Sequence, residues 1–230
     1  SMGRSGHLGE YQLKHKLKAC SIADLIAYRR RSEKLVRHAE TISMPTDYGE
    51  FNCHLYYVDH SDDSTAGHHL AFTRGEISAD KPTLVRVHSE CLTGDVFHSK
   101  RWGCGSQLDT AMKQIAEEGG VLLYLRQEGR GIGLPAKIHA YKLQEQGLDT
   151  IEANEKLGYG SDLRDYGMGA QILYDLGVRK MKLLTNNPKK IIGLEGYKLE
   201  ITEQVALSIP SNPHNEKYLK TKKDRMGHTL

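Results

Sequence analysis

The stretch Arg86–Gln107, RVHSECLTGDVFHSKRWGCGSQ, decides how the rest of the chain is read. It opens within a short run, Thr83 to His88, in which Leu84, Arg86 and His88 alternate with Val85 and Val87, the period of a strand. A carboxylate (Glu90), a cysteine (Cys91) and a Gly94-Asp95 turn follow at once, and a second cysteine, Cys104, comes 13 residues after the first. Polar and soft groups gathered at the end of a strand and in the loop behind it point to a site. Cysteines in such a chain can also be small buried hydrophobes. Here Cys104 lies between two glycines and beside Lys100, Arg101 and Trp102, which favours the site.

Downstream the period changes to 3.6. Leu108, Ala111, Met112 and Ile115 fall on one helical face, and Gly119 stands where a C-cap belongs. Val121–Leu125 reads as a buried strand, running into Arg126-Gln127-Glu128-Gly129-Arg130-Gly131-Ile132-Gly133 and then a helix over 134–146. A strand, a glycine loop and a helix in that order suit phosphate oxygens, and Arg126 and Arg130 add guanidinium forks, although the spacing is neither Walker A nor G-x-G-x-x-G. Asp162-Leu163-Arg164-Asp165 is expected to begin another helix, with Met168, Ile172, Leu173 and Leu176 on its apolar side and Gly177 at its end. Lys180–Leu184 is expected to be a strand stopping at a turn-forming Thr185-Asn186-Asn187-Pro188.

Upstream, residues 41–72 read as short strands separated by turns at Pro45–Gly49 and Asp59–Gly67, forming hairpins that feed the Thr83–His88 strand. Asp59–Ser64 reads as a solvated loop. Ser21 and Asp24 resemble a helix N-cap signature ahead of Ile22, Leu25 and Ile26, with Arg29-Arg30-Arg31 toward the helix end, where cations suit the dipole. Residues 3–20 and the tail from Pro210 are polar and weakly patterned, and Ser1-Met2 reads as a protease-cleavage remnant. Together this is an α/β chain with a β-rich first part.

A net charge of +3 with 38% hydrophobic residues suits one large domain acting on a small anion, and gives no argument for nucleic acid. No apolar run is long enough for a membrane span. Four scattered cysteines do not make a disulfide framework, so the expected address is cytoplasmic.

The segments RVHSECLTGD, CGSQL, RQEGRGIGL, DTIEAN, SDLRDYG, LLTNNPKK and HNEKYLKTK, in this order from about Glu40 to Leu230, resemble GTP cyclohydrolase II of riboflavin synthesis. The SIADLIAYRRR segment resembles the junction that follows a 3,4-dihydroxy-2-butanone-4-phosphate synthase domain in bifunctional riboflavin proteins. On this basis residues 1–36 are a remnant plus an arm from an upstream synthase domain, and residues 37–230 are the cyclohydrolase-like domain, a mixed sheet with flanking helices. The resemblance implies a homodimer that uses Mg2+ and Zn2+ to convert GTP into a diaminopyrimidine ribosyl phosphate, formate and pyrophosphate. It assigns GTP contacts to Arg86, Val87, His88, Ser89, Glu90, Gln107, Glu128, Gly129, Arg130, Thr150, Thr185 and Lys190. It assigns chemistry at the α-phosphate to Asp162 and Arg164, and places Tyr141 near the opening ring. A guanidinium is a poor nucleophile and a good transition-state clamp, so Arg164 is read as the clamp. From residue types alone Asp162 and Arg164 are also an ordinary helix-start carboxylate and a surface arginine.

The family's zinc pattern, C-x10-C-x-C, is broken. Cys91 and Cys104 match its first and third cysteines, and Trp102 stands in the second place. His98, between the two cysteines, is the first substitute donor to consider, and His88 the second. On the resemblance three readings stay open: a full cyclohydrolase whose third zinc donor is a histidine, a chain that still splits pyrophosphate from GTP but opens the ring poorly, or a silent nucleotide-binding module.

Overall fold

The computed structural model describes residues 5–21, 24–25, 28–29, 32–58, 67–160, 164, 166–187, 197–207, 209, 213 and 215. It divides into two units, Ser1–Lys34 and Leu35–Leu230. In the first unit, α1 (Ser5–His15) forms in the stretch expected to be unpatterned. The expected cap is present: the Asp24 N–H donates to the Ser21 hydroxyl at 3.0 Å, and the Ser21 N–H and hydroxyl donate back to the Asp24 carboxylate at 3.3 and 2.7 Å.

The second unit is built on one seven-stranded sheet, in the order β1-β2-β3-β5-β4-β6-β7. Its strands are β1 (Val36–Thr46), β2 (Gly49–Val58), β3 (His68–Arg74), β4 (Thr83–Ser89), β5 (Gly120–Leu125), β6 (Lys180–Leu184) and β7 (Glu200–Val205). The first three form an antiparallel meander. Its first turn closes where Thr46 pairs with Gly49, and the Thr46 hydroxyl accepts the Tyr48 N–H at 3.1 Å and donates to the Gly49 carbonyl at 2.8 Å. Against expectation, the meander does not feed β4. β3 pairs antiparallel with β5, and β4 lies one place further in, parallel to both β5 and β6. Inserting β5 between them gives β4 two parallel neighbours, which suits its burial on both faces.

The helices are α2 (Leu92–Asp95), α3 (Cys104–Glu118), α4 (Gly133–Glu145), α5 (Thr150–Lys156) and α6 (Gly167–Asp175). Side chains that point alternately to the two faces of β4 and β5 sort the core into two layers. Leu84 and Leu122 pack with Ala111, Met112 and Ile115 of α3 on one face. Val85, Val87, Val121, Leu123 and Leu125 pack with Met168, Ala170, Ile172 and Leu173 of α6 on the other. Arg86 and His88 share the face of Leu84, so they reach the α3 side at the carboxyl end of β4. α3 carries the chain from β4 to β5 over one face, and α6 returns it to β6 over the other. Loops therefore diverge at the carboxyl end of β4, where α/β sheets leave a crevice.

α6 begins at Gly167, not at Asp162; Arg164 lies in irregular chain ahead of it. β7 and α5 carry too few apolar residues to announce themselves, and β7 holds its place at the sheet edge through parallel pairing with β6. The Asp59–Ser64 loop and nearly all of the tail lie outside the described residues.

Candidate active site

Three loops meet at the carboxyl ends of β4 and β5. The first, after β4, carries Glu90, Cys91 and α2. Asp95 at the end of α2 turns back and organises it: its carboxylate accepts the Cys91 N–H at 2.9 Å and the Tyr124 hydroxyl at 2.8 Å, and lies 3.1 Å from Nε2 of His88. His88 and Asp95 side chains are each 3% exposed, and the His88 ring stacks on Tyr124 at 5.6 Å. Burial pushes the Asp95 carboxyl up, but the bonds from His88, Tyr124 and the Cys91 N–H outweigh it and hold the group below the ordinary range.

The second loop starts α3 at Cys104, behind Gly103 with φ 70°. A side chain on Gly105 would collide with the Gly94 carbonyl oxygen, and a Cβ on Gly94 would lie 3.0 Å from Cys104 Cβ and 3.2 Å from Cys91 Sγ. These two glycines let the cysteine-bearing segments touch. The Cys91 thiol is pushed down to about 6, first by a hydrogen bond from Cys104 and then, against burial, by the Lys137 ammonium.

The third is the glycine loop, where Gly129 (φ 62°) and Arg130 (φ 63°) both adopt the left-handed region inside a 3-10 turn, Glu128–Gly131. Left-handed backbone costs a non-glycine residue about 1–2 kcal/mol, so the surroundings must hold Arg130 there. Glu128 does much of that holding. One carboxylate oxygen accepts the Gly129 N–H at 2.7 Å and the Lys137 ammonium at 2.8 Å; the other accepts the Leu92 N–H at 2.7 Å. Glu128 thus ties the glycine loop to α2. His69 of β3 fixes the loop's root, accepting the Arg126 N–H on Nδ1 at 3.1 Å.

Between the loops lies a cleft lined by Arg86, His88, Ser89, Glu90, Cys91, Trp102, Cys104, Gln107, Glu128, Gly129, Arg130 and Arg164. Nine of the sequence-derived site residues and both expected zinc cysteines therefore come together. Arg86 is held rigidly, donating to the Leu184 carbonyl at 2.9 Å and to Gln107 Oε1 at 3.0 Å; burial lowers it to about 10, leaving it charged at neutral pH. Glu90 faces Arg126 at 3.6 Å and is raised by burial despite that guanidinium. The Ser89 hydroxyl is buried with no hydrogen-bond partner among the described residues, a group that a ligand would satisfy.

Tyr141 borders the cleft from α4. Its hydroxyl lies 3.1 Å from Thr93 Oγ1, its ring meets the edge of Trp102 at 5.0 Å, and burial raises its hydroxyl to about 12. Val87 points into the opposite core layer, so only its backbone faces the site. Thr150 is buried at the start of α5, and Thr185 is buried after β6, accepting the Asn187 N–H at 3.0 Å; neither lines the cleft. Asp162 and Lys190 lie outside the described residues.

A zinc ion of catalytic type needs three protein donors and an open position. Cys91 and Cys104 supply two, Trp102 brings no donor, and His98 is exposed with φ 52°. Among the described residues no group of three His, Cys, Asp or Glu is placed to hold a metal ion. The residues present do not fit zinc. Two others, absent from the expected set, are central to the arrangement: Asp95 and Lys137. Lys137 is a lysine on the buried face of α4, one turn before Tyr141, and that position was the available signal.

A family model described as GTP cyclohydrolase II matches residues 36–206. The proteins called riboflavin biosynthesis protein RibBA from Bacillus mycoides (strain KBAB4) and Bacillus subtilis (strain 168) are 55% and 56% identical, each over 100% of this chain and 57% of their own length. The protein of the same name from Aquifex aeolicus (strain VF5) is 56% identical over 99% of this chain and 56% of its own. The chain therefore spans little more than half the length of these relatives. A solved structure, that of RibBX, a two-domain 3,4-dihydroxy-2-butanone 4-phosphate synthase from A. baumannii, is 29% identical with a TM-score of 0.53, over 91% of this chain and 51% of that one. With motifs, fold and family match in agreement, the chain belongs to the GTP cyclohydrolase II family.

Proposed function

We propose that this domain takes the Mg2+ complex of GTP and splits pyrophosphate from it, with opening of the imidazole ring impaired by Trp102. The observation that carries the reading is the convergence of Arg86, Arg130 and Arg164 on one cleft beside a glycine loop. Phosphoryl transfer asks a protein chiefly for positioning and for cations around the phosphates. In the proposed step water attacks the α-phosphorus and gives its proton to a carboxylate, the role that resemblance assigns to Asp162. The bond to the bridging oxygen breaks, pyrophosphate leaves with that electron pair, and GMP remains. Arg164 and Arg130 stabilise the charge that builds on the phosphate oxygens. Tyr141 and Glu90 are left to bind and orient the purine.

Ring opening needs a nucleophile strong enough to hydrolyse a carbon centre at neutral pH, which in the family a zinc-bound water supplies. With Trp102 in the ligand position, no step here is routed through zinc. On the same resemblance the domain pairs with a second copy, works in the cytoplasm and follows a synthase domain. The 57% share of the relatives' length supports the last of these.

Product analysis tests the reading: purified protein with GTP, Mg2+ and added zinc, nucleotides separated and formate assayed. GMP and pyrophosphate without formate are expected. Formate with a diaminopyrimidine product would show that ring opening survives, and no turnover would leave a nucleotide-binding module.

A further inference from the structure

Lys137 is the most deeply buried charge near the cleft. Its side chain is 0% exposed, yet its ammonium lies 2.8 Å from Glu128 Oε1 and 3.2 Å from Cys91 Sγ. The ring of Trp102 is 5.5 Å from the same nitrogen, and that of Tyr141 is 5.7 Å away. A buried ammonium persists only where charge and hydrogen-bond partners replace its water shell. Here a carboxylate, a sulfur and two aromatic faces do so. One of those faces belongs to the residue that stands in place of the family's second zinc cysteine. Trp102 therefore removes a metal donor and supplies a π surface to a cation already beside Cys91.

We propose that the ammonium of Lys137, enclosed by Trp102, is the resident cation of the cysteine side of this cleft and takes the place of zinc. The inference rests on the reading above that the zinc-dependent step is impaired, but its test involves no nucleotide. In this arrangement Cys91 is held by Lys137, and Lys137 is held in turn by Glu128, which also anchors Leu92 and Gly129. The cysteine loop and the glycine loop are joined through this nitrogen, alongside the direct bond from the Leu92 N–H to Glu128. A metal ion is then unnecessary for keeping the two loops in place.

Trp102 is the chain's only tryptophan, so its fluorescence reports on this spot alone. Titrating zinc into the full chain, with bound metal measured by mass spectrometry after dialysis, needs no variant. The expected result is no saturable change in Trp102 emission and well under one zinc per chain. A 1:1 saturable change that is lost in Cys91→Ser would overturn the proposal.

A second measurement is a double-mutant cycle in urea with Lys137→Met, Trp102→Leu and the pair. The two changes are expected to be non-additive by roughly tenfold in the unfolding constant, as for a desolvated cation–π contact. Lys137→Arg is expected to retain most of that coupling. Additive effects would overturn the proposal, because a lysine serving only to fill space would not sense the indole. Failure here is separable from failure of the proposed reaction. Formate release from a chain silent to zinc would sink only the reaction, and stoichiometric zinc without formate would sink only this inference.

Discussion

The two sides of the cleft grow from neighbouring parallel strands, yet they are fixed in different ways. On the β5 side the glycine loop is shaped by backbone torsion: Gly129 and Arg130 sit in left-handed conformations and Arg130 and Arg164 line the space for a ligand. On the β4 side the loop is shaped by side chains turned inward, with Asp95 collecting His88, Tyr124 and the Cys91 N–H, and Lys137 collecting Cys91 and Glu128. One side turns guanidinium groups toward the cleft; the other spends much of its polarity on internal bonds. A change at position 102 therefore falls first on the β4 side, and reaches the glycine loop only through Lys137 and Glu128.

The sharpest way to break the contrast is Trp102→Cys. It restores the C-x10-C-x-C pattern and is expected to bring zinc from well under one to about one ion per chain, with formate released from GTP. Metal analysis and a formate assay check it, and a failure of both would reveal a second defect on the cysteine side. Arg164→Ala attacks the other side. Pyrophosphate release is expected to fall by about 10³-fold, the scale of losing one preorganised charge at a phosphoryl transition state. Retained release under single-turnover conditions would remove Arg164 from its role.

A smaller effect concerns the root of the glycine loop. His69 is 3% exposed and, through burial and then the nearby Arg126 guanidinium, is lowered to about 4. An unfolded histidine titrates near 6.5. Between about 6.5 and about 4 the unfolded chain therefore binds a proton that the fold refuses. Stability is complete above that window and falls as the pH drops through it, by about 3 kcal/mol. His69→Gln, which can still accept the Arg126 N–H, is expected to flatten the slope in urea melts taken across that range. The smallest is Asp149→Ala. It removes the capping box of α5, in which Asp149 accepts the Ile151 and Glu152 N–H groups at 2.7 and 2.9 Å, and should cost about 1 kcal/mol in the same melts without changing pyrophosphate release.

Legibility in the sequence followed the same division. Periodicity was enough for β4 and for α3 apart from its first turn, and short apolar runs were enough for β5 and β6, because each presents apolar side chains to one of the two core layers. α4, which adds none to either layer, was legible only as the stretch behind the glycine loop. The pairing of β3 with β5 was not legible, since nothing in the alternation of either strand names its neighbour. The start of α6 was misplaced because Asp162 and Arg164 look like a helix beginning, whereas the helical turn is first closed by the apolar run from Gly167. In the site, most residues that line the cleft were legible by resemblance. Residues that meet only each other were not: Asp95 looked like part of a turn, and Lys137 looked like one more charge on a helix.

The close contact at Gly94 and Gly105 carries a further consequence. The distance between the two cysteine-bearing segments is set by main chain against main chain, so no bound ion is needed to draw them together. A lineage could shed its metal through one substitution and keep the scaffold ready. The same lineage could regain the metal through the reverse substitution, without having to rebuild the site.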